Sequence, residues 1–91
     1  MIWDVGLGAA INAMAVLRCF ERCLAEAGGN PVRKLRLVSF ECDLDPLRLA
    51  AGRGAYFPHV RHAAPQAILA HGQWSHPSGA MHWELKHGQF L

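Results

Sequence analysis

The chain has no apolar run approaching the roughly 20 residues that a bilayer-spanning helix needs, so no membrane segment is expected. Its first residues carry no basic region, and Asp4 interrupts their apolar start, so no secretory leader is expected either. Cysteine is scarce. Cys19, Cys23 and Cys42 form an odd set without disulfide spacing, which argues for a reducing compartment and a cytoplasmic protein. Cys19 and Cys23 stand four apart on one helix face and read as buried or half-buried packing thiols. No Cys-x-x-Cys or HExxH spacing occurs. The six histidines (His59, His62, His71, His76, His82 and His87) fall in different elements, so no metal site is expected. GxSxG is absent, which excludes a nucleophile elbow. Neither sign of charge dominates. Nine basic and seven acidic residues leave a net +2, too little to argue for nucleic acid or an anionic membrane. The cluster of Arg33, Lys34 and Arg36 reads as a solvated lead-in to a strand. No internal repeat or low-complexity segment is visible.

What is present fits one small domain. Ninety-one residues bury a modest share of their surface, and a 52% hydrophobic content is high for that length. Some apolar surface is therefore expected to need a partner. Ile2–Val5 reads as a short buried strand, and Gly6-Leu7-Gly8 as a tight turn. From Ala9 the pattern is helical. Ala13, Val16, Leu17, Phe20, Leu24 and Ala27 recur at spacings of three and four, with Arg18, Glu21, Arg22 and Glu26 on the other side. Gly28-Gly29-Asn30-Pro31 ends this helix, because glycine accepts a left-handed cap and proline cannot continue the ladder. Leu35–Glu41 is the second strand. Asp43 or Asp45 can cap a short helix from Leu47 to about Ala51, with Pro46 in its first turn and Gly52 and Gly54 ending it. Residues 55–62 read as a loop, Pro65–His71 as a short helix closed by Gly72, and residues 72–80 as a second loop. Met81–His87 alternates Met81, Trp83 and Leu85 with His82, Glu84 and Lys86, which predicts an edge strand with one wet face. Trp74 and Trp83 read as packing residues. The order is βαβαβ, which predicts an α/β fold with a three-stranded parallel sheet and helices packed on it.

The candidate site lies where the first strand turns into the first helix. In Asp4-Val5-Gly6-Leu7-Gly8-Ala9-Ala10, Gly6 permits a sharp turn and Gly8 lets bare backbone approach a ligand. The start of the helix, from Ala9 to Asn12, offers unpaired N–H groups and the positive end of a dipole. Ala10 stands where a third glycine is usual, and its methyl still permits close packing. The second candidate is Glu41, at the end of the second strand, where an acid accepts hydrogen bonds from ribose hydroxyls. It lies 35 positions after Gly6, more than the roughly 20 of dinucleotide folds. The long first helix and the loop after it absorb the excess. Asp43 is the competing acid.

These residues resemble a known family. DVGLGAAIN, then LVSFE, then WELKHGQF is similar to the class I S-adenosylmethionine-dependent methyltransferases. Among them it most resembles the tRNA 5-methylaminomethyl-2-thiouridine-forming methyltransferases. Asp4, Gly6, Gly8 and Asn12 match that family's first motif, and Ser39, Phe40 and Glu41 match its second. The third motif departs: the family has Gly-Asp where this chain has Gly88-Gln89. The resemblance covers the front half of the family's Rossmann-like domain. It implies S-adenosylmethionine as cofactor, with Asp4, Gly6 and Gly8 framing the methionine part, Glu41 holding the ribose and Gln89 approaching the adenine. It implies a tRNA acceptor in the full-length family, and acceptor-side residues on later strands. This chain is accordingly expected to be a single partial cofactor-binding domain, inactive by itself. In the family's sheet the first strand is central. Without its neighbour the open edge predicts a homodimer.

Two other readings compete. A nicotinamide dinucleotide-binding fragment would use the same turn and acid, although a dinucleotide normally spans two βαβ halves. A non-catalytic assembly module would keep the fold and use the sheet edge to bind another chain.

Overall fold

The computed structural model of the chain describes residues 1–53 and 58–88. Its elements run β1 (Ile2–Val5), α1 (Ile11–Ala27), β2 (Leu35–Glu41), α2 (Asp45–Ala51), a 3₁₀ turn (Pro58–Arg61), α3 (Ala63–His71), β3 (Gln73–Ser75) and β4 (Met81–His87). The four strands form one sheet in the order β1-β2-β4-β3. β1 runs parallel to β2, β2 parallel to β4, and β3 antiparallel to β4. The fold class is therefore α/β with a mixed sheet. The expected three parallel strands are present, and β3 is the addition that corrects the expectation of a purely parallel, three-stranded sheet.

β3 comes from residues read as loop. His76–Gly79 closes a turn, with the Gly79 N–H donating to the His76 carbonyl at 2.9 Å, Pro77 at its second position and Gly79 at a φ of 76°. The His76 N–H then donates to the Met81 carbonyl at 2.9 Å and starts the hairpin. Three residues, Gln73-Trp74-Ser75, carry too little pattern to announce a strand; pairing with β4 creates it. β4 is consequently an interior strand and not the edge expected of it.

Register fixes what each face presents. Ile2 and Asp4 stand beside Leu37 and Ser39, and Leu35, Leu37 and Ser39 beside Met81, Trp83 and Leu85. Leu37, Met81 and Trp83 pack in one core with Ala13, Met14, Leu17 and Phe20 of α1, Leu47 and Ala50 of α2, and Ala64 and Ile68 of α3. All three helices thus cover the same face of the sheet. Trp83, Leu17, Leu37, Leu47, Ile68 and Met81 are the largest fully buried apolar side chains, each worth roughly 1.5–3 kcal/mol against exposure.

The other face carries Trp3, Val5, Arg36, Val38, Phe40, His82, Glu84 and Lys86, and no described helix packs on it. Val38 is buried there, but Trp3 is 67% and Val5 82% exposed. β1, expected to be buried, is an exposed margin strand. Among the described residues it pairs on one side only, with β2.

The helix ends follow their residues. Gly28 caps α1 at a φ of 58° and Gly72 caps α3 at 75°, the left-handed region where glycine carries no Cβ penalty. Pro46 lies in the first turn of α2. Neither aspartate caps that helix: its cap residue is Leu44, without a side-chain cap bond, and Asp43 instead accepts the Asp45 N–H at 2.9 Å. Cys19 and Cys23 are exposed, contrary to the packing role expected of them.

Candidate functional site

The site is built where the C-terminal ends of β1, β2 and β4 meet the start of α1. The Gly6 N–H donates to the Phe40 carbonyl at 2.9 Å, and the Gly88 N–H to the Glu41 carbonyl at 3.0 Å. These bonds lace the three strand ends together. In open α/β sheets ligands lie in the crevice outside the carboxyl ends of the strands, which is this end.

The turn itself is left-handed three times. Gly6, Gly8 and Ala10 have φ of 83°, 54° and 68°. A Cβ on Gly6 or Gly8 would meet nothing within 4 Å. Internal packing therefore does not demand glycine at either position; backbone conformation does. The open volume beside Gly8 is the approach a ligand would need. Ala10 is the anomaly. It is the cap residue of α1, fully buried, and the only described non-glycine residue at positive φ. Its methyl lies in the core, and that burial, about 0.8 kcal/mol, offsets part of the roughly 1–2 kcal/mol cost of a left-handed L-residue.

Glu41 reaches the centre of the turn. Its Oε1 accepts the Gly8 N–H at 2.9 Å, and its Oε2 accepts the Cys42 N–H at 3.1 Å. The acid at the tip of β2 and the glycine turn after β1, 33 residues apart, are thus one unit. A carboxylate has about four acceptor positions, so two remain for other donors. Glu41 outranks Asp43 here, because Asp43 turns to its own loop.

Asp4 lies on the helix-covered face next to the turn, half-buried. Its Oδ2 accepts the Ser39 hydroxyl at 2.9 Å, and the Ser39 oxygen in turn accepts the Trp83 indole N–H at 2.9 Å. Asn12 is exposed in the first turn of α1. That helix has no side-chain cap bond and no acidic residue in its first turn, so its first N–H groups have no side-chain partner of the capping kind. His59 closes over the turn, with Nε2 donating to the Ala9 carbonyl at 2.7 Å. His87 Nε2 donates to the Cys42 carbonyl at 3.3 Å. Gln89, expected near the adenine, lies outside the described residues; Gly88 before it stands against Glu41.

The structure brings together Asp4, Gly6, Gly8 and Glu41 of the expected set, with Asn12 on the adjoining helical turn. Sequence reasoning gave no role to Ser39 beyond motif membership, and none to His59. A parallel register would have found the first: counting back two residues from Gly6 and from Glu41 gives Asp4 and Ser39, which share a face.

Two other places on the molecule do not compete. A shallow, open depression of about 230 Å³, lined by Lys34, Leu35, Arg36, Gly79, Ala80 and His82, lies at the opposite end of the sheet. It falls below the roughly 300–1,000 Å³ of ordinary ligand sites, and Arg36 there is paired with Glu84. That guanidinium bond holds the Glu84 carboxyl below its ordinary value. Glu21 stands 3.9 Å from His62 Nε2 and 3.5 Å from His76 Nε2. However, His62 Nδ1 accepts the Ala64 N–H and His76 Nδ1 accepts the Ser78 N–H, so each neutral ring carries its proton on Nε2. Metal-bound imidazoles donate from their second nitrogen; these accept. The cluster therefore ties α1 to α3 and the hairpin turn.

Among the described residues no helix is long and apolar enough to cross a membrane. Comparison of the chain with protein-family models, curated proteins and solved structures gives no match.

Proposed function

We propose that this chain binds S-adenosylmethionine at the β1–α1 turn, as the cofactor-holding front of a class I, Rossmann-like methyltransferase. The observation that carries the reading is the 2.9 Å bond from the Gly8 N–H to Glu41 Oε1. A carboxylate against bare backbone at the carboxyl ends of the strands supports a ribose-binding role for Glu41. Strand geometry separates the Asp4 and Glu41 α-carbons by roughly 8 Å, two residues along and one strand across. One carboxylate then meets the ribose hydroxyls, and the other the amino group of the methionine part. The uncapped start of α1 faces the remaining anionic group, the ligand's carboxylate. Aligning an acceptor with the sulfonium methyl is the main catalytic demand of such a transfer. A tRNA acceptor rests on the sequence resemblance alone.

The same contact argues against a dinucleotide. In dinucleotide folds the turn's N–H groups face a pyrophosphate. Here the Gly8 donor is engaged by a carboxylate, Asp4 stands nearby, and residues 1–17 contain no lysine or arginine. A doubly charged pyrophosphate would meet repulsion there, with no cation from the turn or the start of α1 to offset it. Titration calorimetry with S-adenosylhomocysteine and with NAD tests the choice. Heat with the first alone is expected; heat with NAD, or with neither, refutes it.

A second reading concerns assembly. Among the described residues β1 has one unpaired backbone edge, and Met1, Trp3 and Val5 are exposed, with the Trp3 and Phe40 rings 5.4 Å apart. Such an edge favours a homodimer through β1. Light scattering is expected to report a dimer that Trp3→Ser weakens. A wild-type chain that stays monomeric at high micromolar concentration removes this reading and leaves the cofactor proposal standing.

A further inference from the structure

We infer that Ser39 and Trp83 form a buried positioning pair that fixes the Asp4 carboxylate for the amino-acid end of the bound ligand. The inference rests on the S-adenosylmethionine reading above and adds two residues to it.

The argument is one of donor and acceptor counting. Ser39 and Trp83 are both fully buried. An indole nitrogen can only donate, and a buried one needs an acceptor. Ser39 Oγ is that acceptor, at 2.9 Å. The hydroxyl has a single proton, and the indole cannot receive it. The proton therefore points to Asp4 Oδ2, also at 2.9 Å. Water does not reach Ser39 to offer it another partner. The direction of the whole chain, Trp83 to Ser39 to Asp4, is set by chemistry with no freedom left. Trp83 cannot swing away, because its ring packs in the core between the sheet and the helices. One oxygen of Asp4 is thus pinned from below, next to the turn. The carboxylate keeps acceptor positions for a cationic donor arriving from the ligand side. A fixed acceptor binds better than a mobile one, because the ordering is done before the ligand arrives.

The consequence is selective. The pair should matter for a ligand with a protonated amino group and not for one without it. S-adenosylhomocysteine has that group. 5′-Methylthioadenosine keeps the nucleoside and the sulfur but lacks the amino-acid end. A purely structural role for Ser39 would change both affinities together.

The experiment has two arms. The first needs no ligand: the indole N–H resonances of the protein are recorded by two-dimensional NMR for the wild type and Asp4→Asn. The Trp83 signal should move although its hydrogen-bond partner is Ser39 and not Asp4, while that of Trp74 stays. A Trp83 signal unmoved by Asp4→Asn overturns the relay itself. The second arm measures both ligands by calorimetry on the wild type and Ser39→Ala. S-adenosylhomocysteine should bind about tenfold more weakly to the variant, and methylthioadenosine equally well. Equal weakening of both ligands, or of neither, overturns the positioning role. If Ser39→Ala does not fold, Trp83→Phe carries the same test: it removes the indole donor while the Ser39 hydroxyl keeps its bond to Asp4, and should lower the ratio of the two affinities. Failure of the wild type to bind either ligand overturns the functional reading and the positioning role with it, while the first arm still reports whether the relay exists.

Discussion

Replacing Gly8 by asparagine separates what the turn does for the fold from what it does for a ligand. Gly8 sits at a φ of 54°, and a Cβ there meets nothing within 4 Å, so backbone strain is the only internal cost. An L-residue in the left-handed region costs roughly 1–2 kcal/mol. Asparagine tolerates that region better than most residues, and a side chain that restricts the unfolded chain returns about 0.4–1 kcal/mol. The net loss is on the order of 0.5 kcal/mol. For a domain this small that lowers Tm by about 2–4 °C. The Gly8 N–H is backbone and keeps its bond to Glu41. The new side chain, however, projects into the proposed ligand's approach, and overlap of that kind costs 1–3 kcal/mol, or about 5- to 150-fold in affinity. Gly72→Asn is the control. Gly72 also has positive φ, 75°, and open space around its missing Cβ, but it caps α3 and leads into β3, at the edge of the sheet opposite β1. Thermal unfolding followed by circular dichroism should show similar small losses for both variants. Calorimetry with S-adenosylhomocysteine should show binding weakened by that factor only in Gly8→Asn. Full binding by Gly8→Asn would refute the reasoning, as would a Tm fall above about 10 °C, which would make the position chiefly structural.

Two further outcomes follow from the same geometry. Ala10→Gly should change stability by less than about 1 kcal/mol, because relief of the left-handed strain is offset by the lost core methyl and the more flexible unfolded chain; urea denaturation checks this. Arg36→Met should raise the midpoint at which Glu84 titrates, read by carboxyl NMR. The Glu84 carboxyl is held low chiefly by its hydrogen bond from Arg36, so this pair stabilises the fold above the ordinary glutamate value near 4.5 and ceases to do so as pH falls through the lowered one. Arg36 is half exposed, so the contribution to stability is small and screened by salt.

Much of the architecture could be read from residue order. Periodicity placed α1, and glycine and proline placed its end and those of the shorter helices. These are local effects, settled within a few residues. What could not be read depends on pairing between distant segments. β3 is three residues long and exists because β4 offers an open edge. β1 is exposed although most of its residues are apolar, because an apolar strand says nothing about which neighbour covers it. Trp3 and Val5 face away from every described helix. The left-handed Ala10 ran against intrinsic preference and is tolerated through burial. In the site, the turn and Glu41 were legible as a strand–turn–helix pattern with an acid at the next strand's tip. Their contact, and the Trp83–Ser39–Asp4 chain beneath it, required the register of two parallel strands.

The most direct measurement is an amide NMR titration of the isotopically labelled protein with S-adenosylhomocysteine. Saturable shifts should concentrate at Gly6, Gly8, the amides of Ile11 to Ala13, and Cys42, with the residues around Lys34 and His82 at the far end of the sheet unchanged. Shifts confined to that far end, or no shifts at millimolar ligand, would contradict a nucleoside seated between the glycine turn and Glu41.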